Sequence, residues 1–275
     1  MTILEKIIAE KRLEVARCLA ATSVADLEKM PHFTRPTLSA RAALTADGSS
    51  GIIAEFKRRS PSKGLINGTA EVGATTAGYV AAGAACLSVL TDGPFFGGTA
   101  EDLLAARAAC PHTPLLRKDF VIGDYQIVEA RALGADFVLL IASCLTPVEV
   151  ARLGTFAHGL GLEVLLEVHD EAELRGHLCE HVDLVGVNNR NLSTFVTDVD
   201  TSARLTGLIP EQFVKVAESG LQHARTIRAL RAAGYRGFLI GETFMKTIDP
   251  AAALADLVAE LQTETSAVLS TSTGA

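Results

Sequence analysis

Two lysines and three glutamates interrupt otherwise apolar stretches of this chain, each near the downstream end of its stretch: Lys57 with Glu55, then Lys118, Glu167 and Glu218. Asn188 and Ser219 hold equivalent places. Ammonium and carboxylate groups gathered in a partly dry site shift one another's pKa values and exchange protons, which is what general acid–base catalysis requires. Lys118, within Leu115-Leu116-Arg117-Lys118-Asp119-Phe120, must reach the end of its element or be enclosed by partners. A lysine so placed suits proton transfer or Schiff-base work, although a plain salt bridge with Asp119 would also account for it. Glu167 is the only acid after the apolar residues of Leu165-Leu166-Glu167-Val168-His169. Glu163 belongs to the opposite end of that element, and His169 reads as a loop residue.

These side chains meet only if the ends of their stretches converge. Eight apolar, strand-like runs are legible at Gly51–Lys57, Ala85–Leu90, Pro114–Phe120, Asp136–Ile141, Leu162–Val168, Asp183–Asn188, Phe213–Glu218 and Gly237–Gly241. They are continuous, as parallel strands covered on both faces should be. Capped helical segments separate them. Thr146-Pro147-Val148-Glu149 is a capping box with proline at the first helical position, and Asp170 with Glu173 is a variant of it. Gly83, Gly134, Gly159 and Gly234 stand just before the next strands, where a left-handed helix terminator is wanted. Eight strand–helix units predict an α/β fold closed into a (β/α)8 barrel, with all downstream strand ends opening on one face. The chain has no G-x-G-x-x-G after its first strand, as a doubly wound dinucleotide fold would need, and its units share no residue signature, as a solenoid's would.

The chain has 275 residues, close to the ~250 typical of one such barrel. It reads as a single domain over 1–265, including an N-terminal helical extension over roughly 1–48, with a disordered tail at 266–275. Within the extension, Ile3, Ile7, Ile8, Leu13 and Ala16 mark an amphipathic helix. A net charge of −7 and a pI near 5.5 argue against nucleic acid as a partner. No apolar run reaches the ~18 residues of a membrane span, and the N-terminus has no secretory signal. The five dispersed cysteines fit neither a disulfide framework nor a zinc pattern, so a cytoplasmic protein with reduced thiols is expected.

Three loops carry further signals. The first strand opens into Arg58-Arg59-Ser60-Pro61-Ser62-Lys63-Gly64, longer than stability alone would favour, though Arg59 and Lys63 read equally well as a solvated turn. Asn188-Asn189-Arg190-Asn191 forms a polar cluster after the sixth strand. After the seventh and eighth strands, Ser219-Gly220 and Gly241-Glu242 allow backbone N–H groups at helix N-termini to approach a ligand, a frequent phosphate site in such barrels. Either glycine alone could simply make a tight turn.

The strings IIAEFKRRSPSKG at 52–64, LSVLTDGPFFGG at 87–98, LLRKDFVIGDYQIVEARALGADFVLLI at 115–141, LEVLLEVH at 162–169, VGVNNRNL at 185–192, VAESG at 216–220 and FLIGETFM at 238–245 together resemble the indole-3-glycerol-phosphate synthase family. The resemblance runs from about residue 2 to 260. It implies a (β/α)8 TIM barrel with an extra N-terminal helical segment, acting without metal or organic cofactor on a phosphorylated small molecule, as a monomer or weak dimer. The implied reaction is the decarboxylating ring closure and dehydration of 1-(2-carboxyphenylamino)-1-deoxyribulose 5-phosphate. By resemblance Lys118 is the general acid at the substrate carbonyl, and Glu167 assists the later proton removal. Lys57 lies near the substrate carboxylate and is a second acid in some accounts of the family. Glu55, Asn188, Arg190, Glu218 and Ser219 match the polar network around the reacting atoms, and Ser60, Gly220, Gly241 and Glu242 match the phosphate grip. Ring closure also needs an apolar wall for the anthranilate ring, for which Phe95, Phe96 and Phe120 are candidates. Two departures stand out: Phe56 replaces a smaller aliphatic residue, and Glu242 occupies a position that is serine in some members. The competing readings are the isomerase of the preceding step, which would lack the two strand-end lysines, and a non-catalytic sugar-phosphate binder, which would have lost Lys118 or Glu167.

Overall fold

A computed structural model describes residues 2–191 and 195–271. Among them, eight strands pair in parallel and close into a barrel: Ile52–Phe56 (β1), Cys86–Leu90 (β2), Leu115–Lys118 (β3), Phe137–Ile141 (β4), Glu163–Val168 (β5), Leu184–Asn188 (β6), Val214–Glu218 (β7) and Gly237–Ile240 (β8). β1 bonds to both β2 and β8, which completes the ring. Helices cover the outside.

Closure explains why the strands read as continuous apolar runs. Alternate residues face different surroundings, but both are dry. Ile53, Leu116, Leu165, Leu184 and Val216 fill the interior, whereas Ile52, Ala54, Leu166, Val185 and Ala217 pack outward against the helices. Stepping downstream by two residues from the inward set gives Glu55 on β1, Lys118 on β3, Glu167 on β5 and Glu218 on β7, and two more reach Lys57, just past the end of β1. Four residues beyond Leu184, Asn188 ends β6 in the same register. The strand register therefore aims every one of these polar groups into the barrel mouth.

The opposite end is plugged by a short helix, Ala40–Thr45, whose Ala40 and Leu44 join the interior cluster. Glu163 lies at this end as expected, accepting hydrogen bonds from Ser39 Oγ at 2.5 Å and Arg41 N at 3.0 Å.

The N-terminal helix Ile3–Ala21 (α1) is present, but its inward face differs from expectation. Leu13 is 57% exposed and Ala16 is exposed, while Lys11 is completely buried beside Ile7. A lysine at an inward position reads as polar and so displaces the apparent apolar stripe. Its burial is tolerable because it is paired: Lys11 Nζ sits 2.8 Å from Asp119 Oδ1, 3.0 Å from Asp92 Oδ1 and 2.9 Å from Glu14 Oε1. Since Asp92 and Asp119 directly follow β2 and β3, this cluster pins α1 across the edge of the barrel mouth.

The capping box at Thr146 and Glu149 forms. At the end of that helix the left-handed residue is Gly161 (φ 75°), not Gly159, because the helix runs one further residue before unwinding. Gly83, Gly134 and Gly234 are left-handed as expected. The last helix, Pro250–Thr271, continues through 266–271 of the tail expected to be disordered, and 272–275 lie outside the described residues. Among the described residues no helix is long and apolar enough to cross a membrane.

Candidate active site

The strand-end groups meet at the bottom of a cavity of about 140 Å³. Lys118 Nζ lies 2.9 Å from Glu167 Oε2 and 3.8 Å from Glu218 Oε2, so it bridges β5 and β7 across the barrel. No ion pair with Asp119 forms: Asp119 points away to Lys11, Arg117 and Thr91. Asn188 Nδ2 donates to the other oxygen of Glu167 at 3.1 Å. Just past β1, Lys57 Nζ donates to Glu55 Oε1 at 2.5 Å.

Three carboxylates and two ammonium groups share this floor, and their protonation follows from the surroundings. Burial alone would lower the pKa of Lys118, but Glu167, Glu218 and Glu55 outweigh it and hold the lysine firmly charged. Burial also opposes ionisation of Glu167, yet Lys118, His169 and Asn188 bring it down to about 2. Glu218 behaves oppositely. Desolvation and the adjacent Glu167 charge push it up to about 8, so it carries a proton at neutral pH. His169, read as a loop residue, stands beside this arrangement: Nε2 is 3.5 Å from Glu167 Oε1 and Nδ1 is 3.1 Å from Glu173 Oε2.

Above the charged floor the walls are apolar. Phe96 and Phe120 both line the cavity, with ring centroids 5.9 Å apart, whereas Phe95 does not reach it. Ile3, Leu4 and Ile7 of α1 and Leu139 and Ile141 of β4 complete the wall. The α1 contribution was not legible in sequence, because nothing local says where an N-terminal helix will dock.

A second, more polar cavity adjoins the first, sharing Glu55, Lys57, Arg190, Ser219 and Leu239. It is lined further by Lys63, Gly220, Gly241, Glu242 and Thr243. Ser219 and Gly220 turn left-handed in succession (φ 66° and 76°). For Ser219 that conformation is strained and needs outside support. Asn189 supplies it, donating from Nδ2 to the Ser219 carbonyl at 3.1 Å and from its own backbone N–H to the Glu218 carbonyl at 2.9 Å. Of the expected pair of helix N-termini, only the one after β8 lines this cavity, through Gly241, Glu242 and Thr243. After β7 the helix begins only at Ala224, and the helix after β8, Glu242–Met245, is a single turn. Cations do more here: Lys63 and Arg190 both border the space. Ser60, expected beside them, lines the first cavity instead.

The first-strand loop folds over both cavities as a small hairpin, Arg59–Ser60 against Gly64–Leu65. Arg58 anchors it to Asp102, and Ser62 accepts from Arg190 Nη1 at 3.1 Å.

Residues 4–257 match the family model described as indole-3-glycerol phosphate synthase. The chain is 47% identical over 260 residues to the indole-3-glycerol phosphate synthase of Bacteroides thetaiotaomicron, covering 94% of this chain and 99% of that one. It is 46% identical over 261 residues to the enzyme of the same name from Azoarcus, covering 92% and 97%. In fold it is similar to 3-hexulose-6-phosphate synthase from Salmonella typhimurium, with a TM-score of 0.59 at 13% identity, covering 77% of this chain and 100% of that one. Thiamine phosphate pyrophosphorylase from Pyrococcus furiosus gives a TM-score of 0.56 at 15% identity, covering 82% and 100%.

Proposed function

Because this chain belongs to the indole-3-glycerol phosphate synthase family, we propose that its two adjoining cavities hold one substrate stretched between them, ring in the apolar compartment and phosphate in the polar one. The activity is that of a carboxy-lyase of tryptophan biosynthesis. It closes the indole ring of 1-(2-carboxyphenylamino)-1-deoxyribulose 5-phosphate, releasing CO₂ and water.

The anthranilate ring lies between Phe96, Phe120 and the α1 side chains, with its carboxylate towards Lys57. The sugar chain crosses the shared boundary at Arg190 and Ser219. Its phosphate is received by Lys63, Arg190 and the backbone N–H groups of Gly220 and Gly241. When the ring carbon bearing the carboxylate attacks the ribulosyl C2, the carbonyl π electrons move to oxygen, and Lys118 delivers a proton there. Neutralising charge where it develops, in a partly dry site, is worth far more than the same contact in water. Loss of CO₂ returns the bonding pair to the ring and restores aromaticity. Dehydration then needs an acid on the departing hydroxyl and a base at ribulosyl C1. Lys57, paired with Glu55, serves as the acid, and Glu167, ionised across the neutral range, serves as the base.

The observation that carries this reading is the placement of Lys118 between Glu167 and Glu218 at the bottom of the apolar cavity. Following the ultraviolet rise of the indole chromophore with the carboxyphenylamino sugar phosphate tests it. Absence of that product under saturating substrate would overturn it.

Two expected results concern the surroundings of Lys118. Glu218 holds its proton to about 8 in the folded chain, against an ordinary 4.5. The unfolded chain therefore releases that proton first, and stability falls as pH rises between those values before levelling off. Glu218→Gln should flatten this slope in urea titrations at pH 5 to 9, and it should remove the alkaline limb of kcat/KM that ionisation of Glu218 produces. An unchanged slope would mean that Glu218 is ionised at neutral pH.

The second concerns the hairpin over the cavities. Gly64 has φ 66°, a conformation proline cannot adopt, and its residues 64 and 65 are exposed. Gly64→Pro should therefore lower kcat by roughly tenfold or more, the scale of losses from a displaced catalytic lysine, with the melting temperature nearly unchanged. Hydrogen exchange at residues 58–68 should slow when a substrate analogue is bound. Equal protection in both states would make the hairpin a rigid wall.

A further inference from the structure

Glu242 is an odd lining for a compartment that receives an anion. Its carboxylate points into the second cavity, with Oε2 3.2 Å from Arg190 Nη2 and Oε1 3.4 Å from Lys63 Nζ. The remaining cation of that lining, Lys57, is already paired with Glu55. The pocket thus offers three cations against two carboxylates, and both of the cations nearest the loop residues are engaged by the same glutamate. A phosphate dianion entering this space must compete with a carboxylate for the same donors.

The geometry permits that exchange. Arg190 does not depend on Glu242 for its position: Nη1 donates to Ser62 Oγ at 3.1 Å and Nε to Thr197 Oγ1 at 3.3 Å. Glu242 is the first residue of a one-turn helix, its side chain is 27% exposed, and Lys63 is 53% exposed. Rotating the carboxylate towards water breaks two partly solvated ion pairs and no buried contact. Such pairs are individually weak, so a doubly charged phosphate wins the donors while still paying for displacing a rival.

We propose that Glu242 is a resident competitor for phosphate: it occupies Arg190 and Lys63 in the empty enzyme, yields them to the phosphorylated substrate, and reclaims them as product leaves. This rests on the assignment of the second cavity as the phosphate compartment. Glu242 thereby sets the affinity of the pocket downward. The opposite role, in which it orients the two cations for the ligand, predicts the opposite sign.

Inhibition by inorganic phosphate, measured against substrate at fixed ionic strength, separates them. In Glu242→Gln the inhibition constant of phosphate should fall about tenfold, the effect of removing one like charge from the pocket. KM and the inhibition constant of the indole glycerol phosphate product should fall with it, while kcat does not rise. A purely structural contribution would instead lower kcat or the melting temperature and leave the phosphate constant alone. An unchanged or higher phosphate constant in Glu242→Gln overturns the proposal. Arg190→Gln is the companion variant. If it weakens phosphate while Glu242→Gln does not tighten it, only the role of Glu242 falls. If phosphate fails to compete in the native enzyme and Arg190→Gln leaves KM unaltered, the phosphate compartment itself is misplaced, and this inference falls with it.

Discussion

Replacing Lys118 with alanine is expected to lower kcat by at least ~10²-fold, the usual contribution of a positioned acid, while the barrel remains folded. The loss is large because, of the two ammonium groups on the cavity floor, only Lys118 is paired with Glu167 and Glu218. Lys57 directly follows β1 and is tied to Glu55. The fold should survive because Lys118 ends its strand and lines the cavity, so truncation enlarges that cavity without opening the interior packing below it. What alanine leaves behind is Glu167 and Glu218 without their shared cation. Buried carboxylates in that position take up protons instead of remaining ionised, although Asn188 and His169 still support Glu167. The variant should therefore lose stability as pH rises, more steeply than the native chain. Single-turnover ultraviolet kinetics with thermal melts at several pH values check both parts. Near-native kcat would remove Lys118 from the chemistry.

Glu167→Gln should be nearly as damaging, and its signature is different. The amide keeps the shape and can still face Asn188 and Lys118, but it cannot accept the proton from ribulosyl C1. A fall in kcat on the order of 10²-fold with little change in KM is expected, since ring and phosphate are held elsewhere. A second effect identifies the cause. Glu218 is raised first by burial and then by the charge of Glu167, so removing that charge should move the Glu218 ionisation down. The alkaline limb of the pH profile should shift towards neutrality by a measurable amount. If only KM rises and the limb stays in place, Glu167 is a binding group and not a base.

Much of this molecule is written locally. Eight strand positions agree with the structure to within two residues, because a run of buried β-branched and aliphatic residues bounded by caps and glycines has few other solutions. The strand-end residues were legible for the same reason: a single lysine or glutamate in a dry run is an exception that sequence displays openly. Gly161 was missed in favour of Gly159 because both stand in one glycine-containing turn, and only the hydrogen bonds decide where a helix stops.

Other features depended on which distant groups come together. Lys118 was ambiguous in sequence between Asp119, its neighbour, and partners further away. The pleat resolves this by sending adjacent residues to opposite faces, so Asp119 meets Lys11 and Arg117 while Lys118 meets Glu167 and Glu218. The buried Lys11 likewise hid the inward face of α1, since two of its three counter-charges, Asp92 and Asp119, lie on loops distant in the chain. Asn189 gave no signal of its role because its partner, the strained Ser219 backbone, exists only in the folded loop. By itself the sequence determined the barrel, its family and the residues able to move protons, because these follow from periodicity and from residue type. Only the tertiary structure decided which carboxylate keeps its proton, which helix roofs the ring pocket and which cations border the second cavity, because charge, burial and proximity across β1, β3, β5 and β7 are set when the barrel closes.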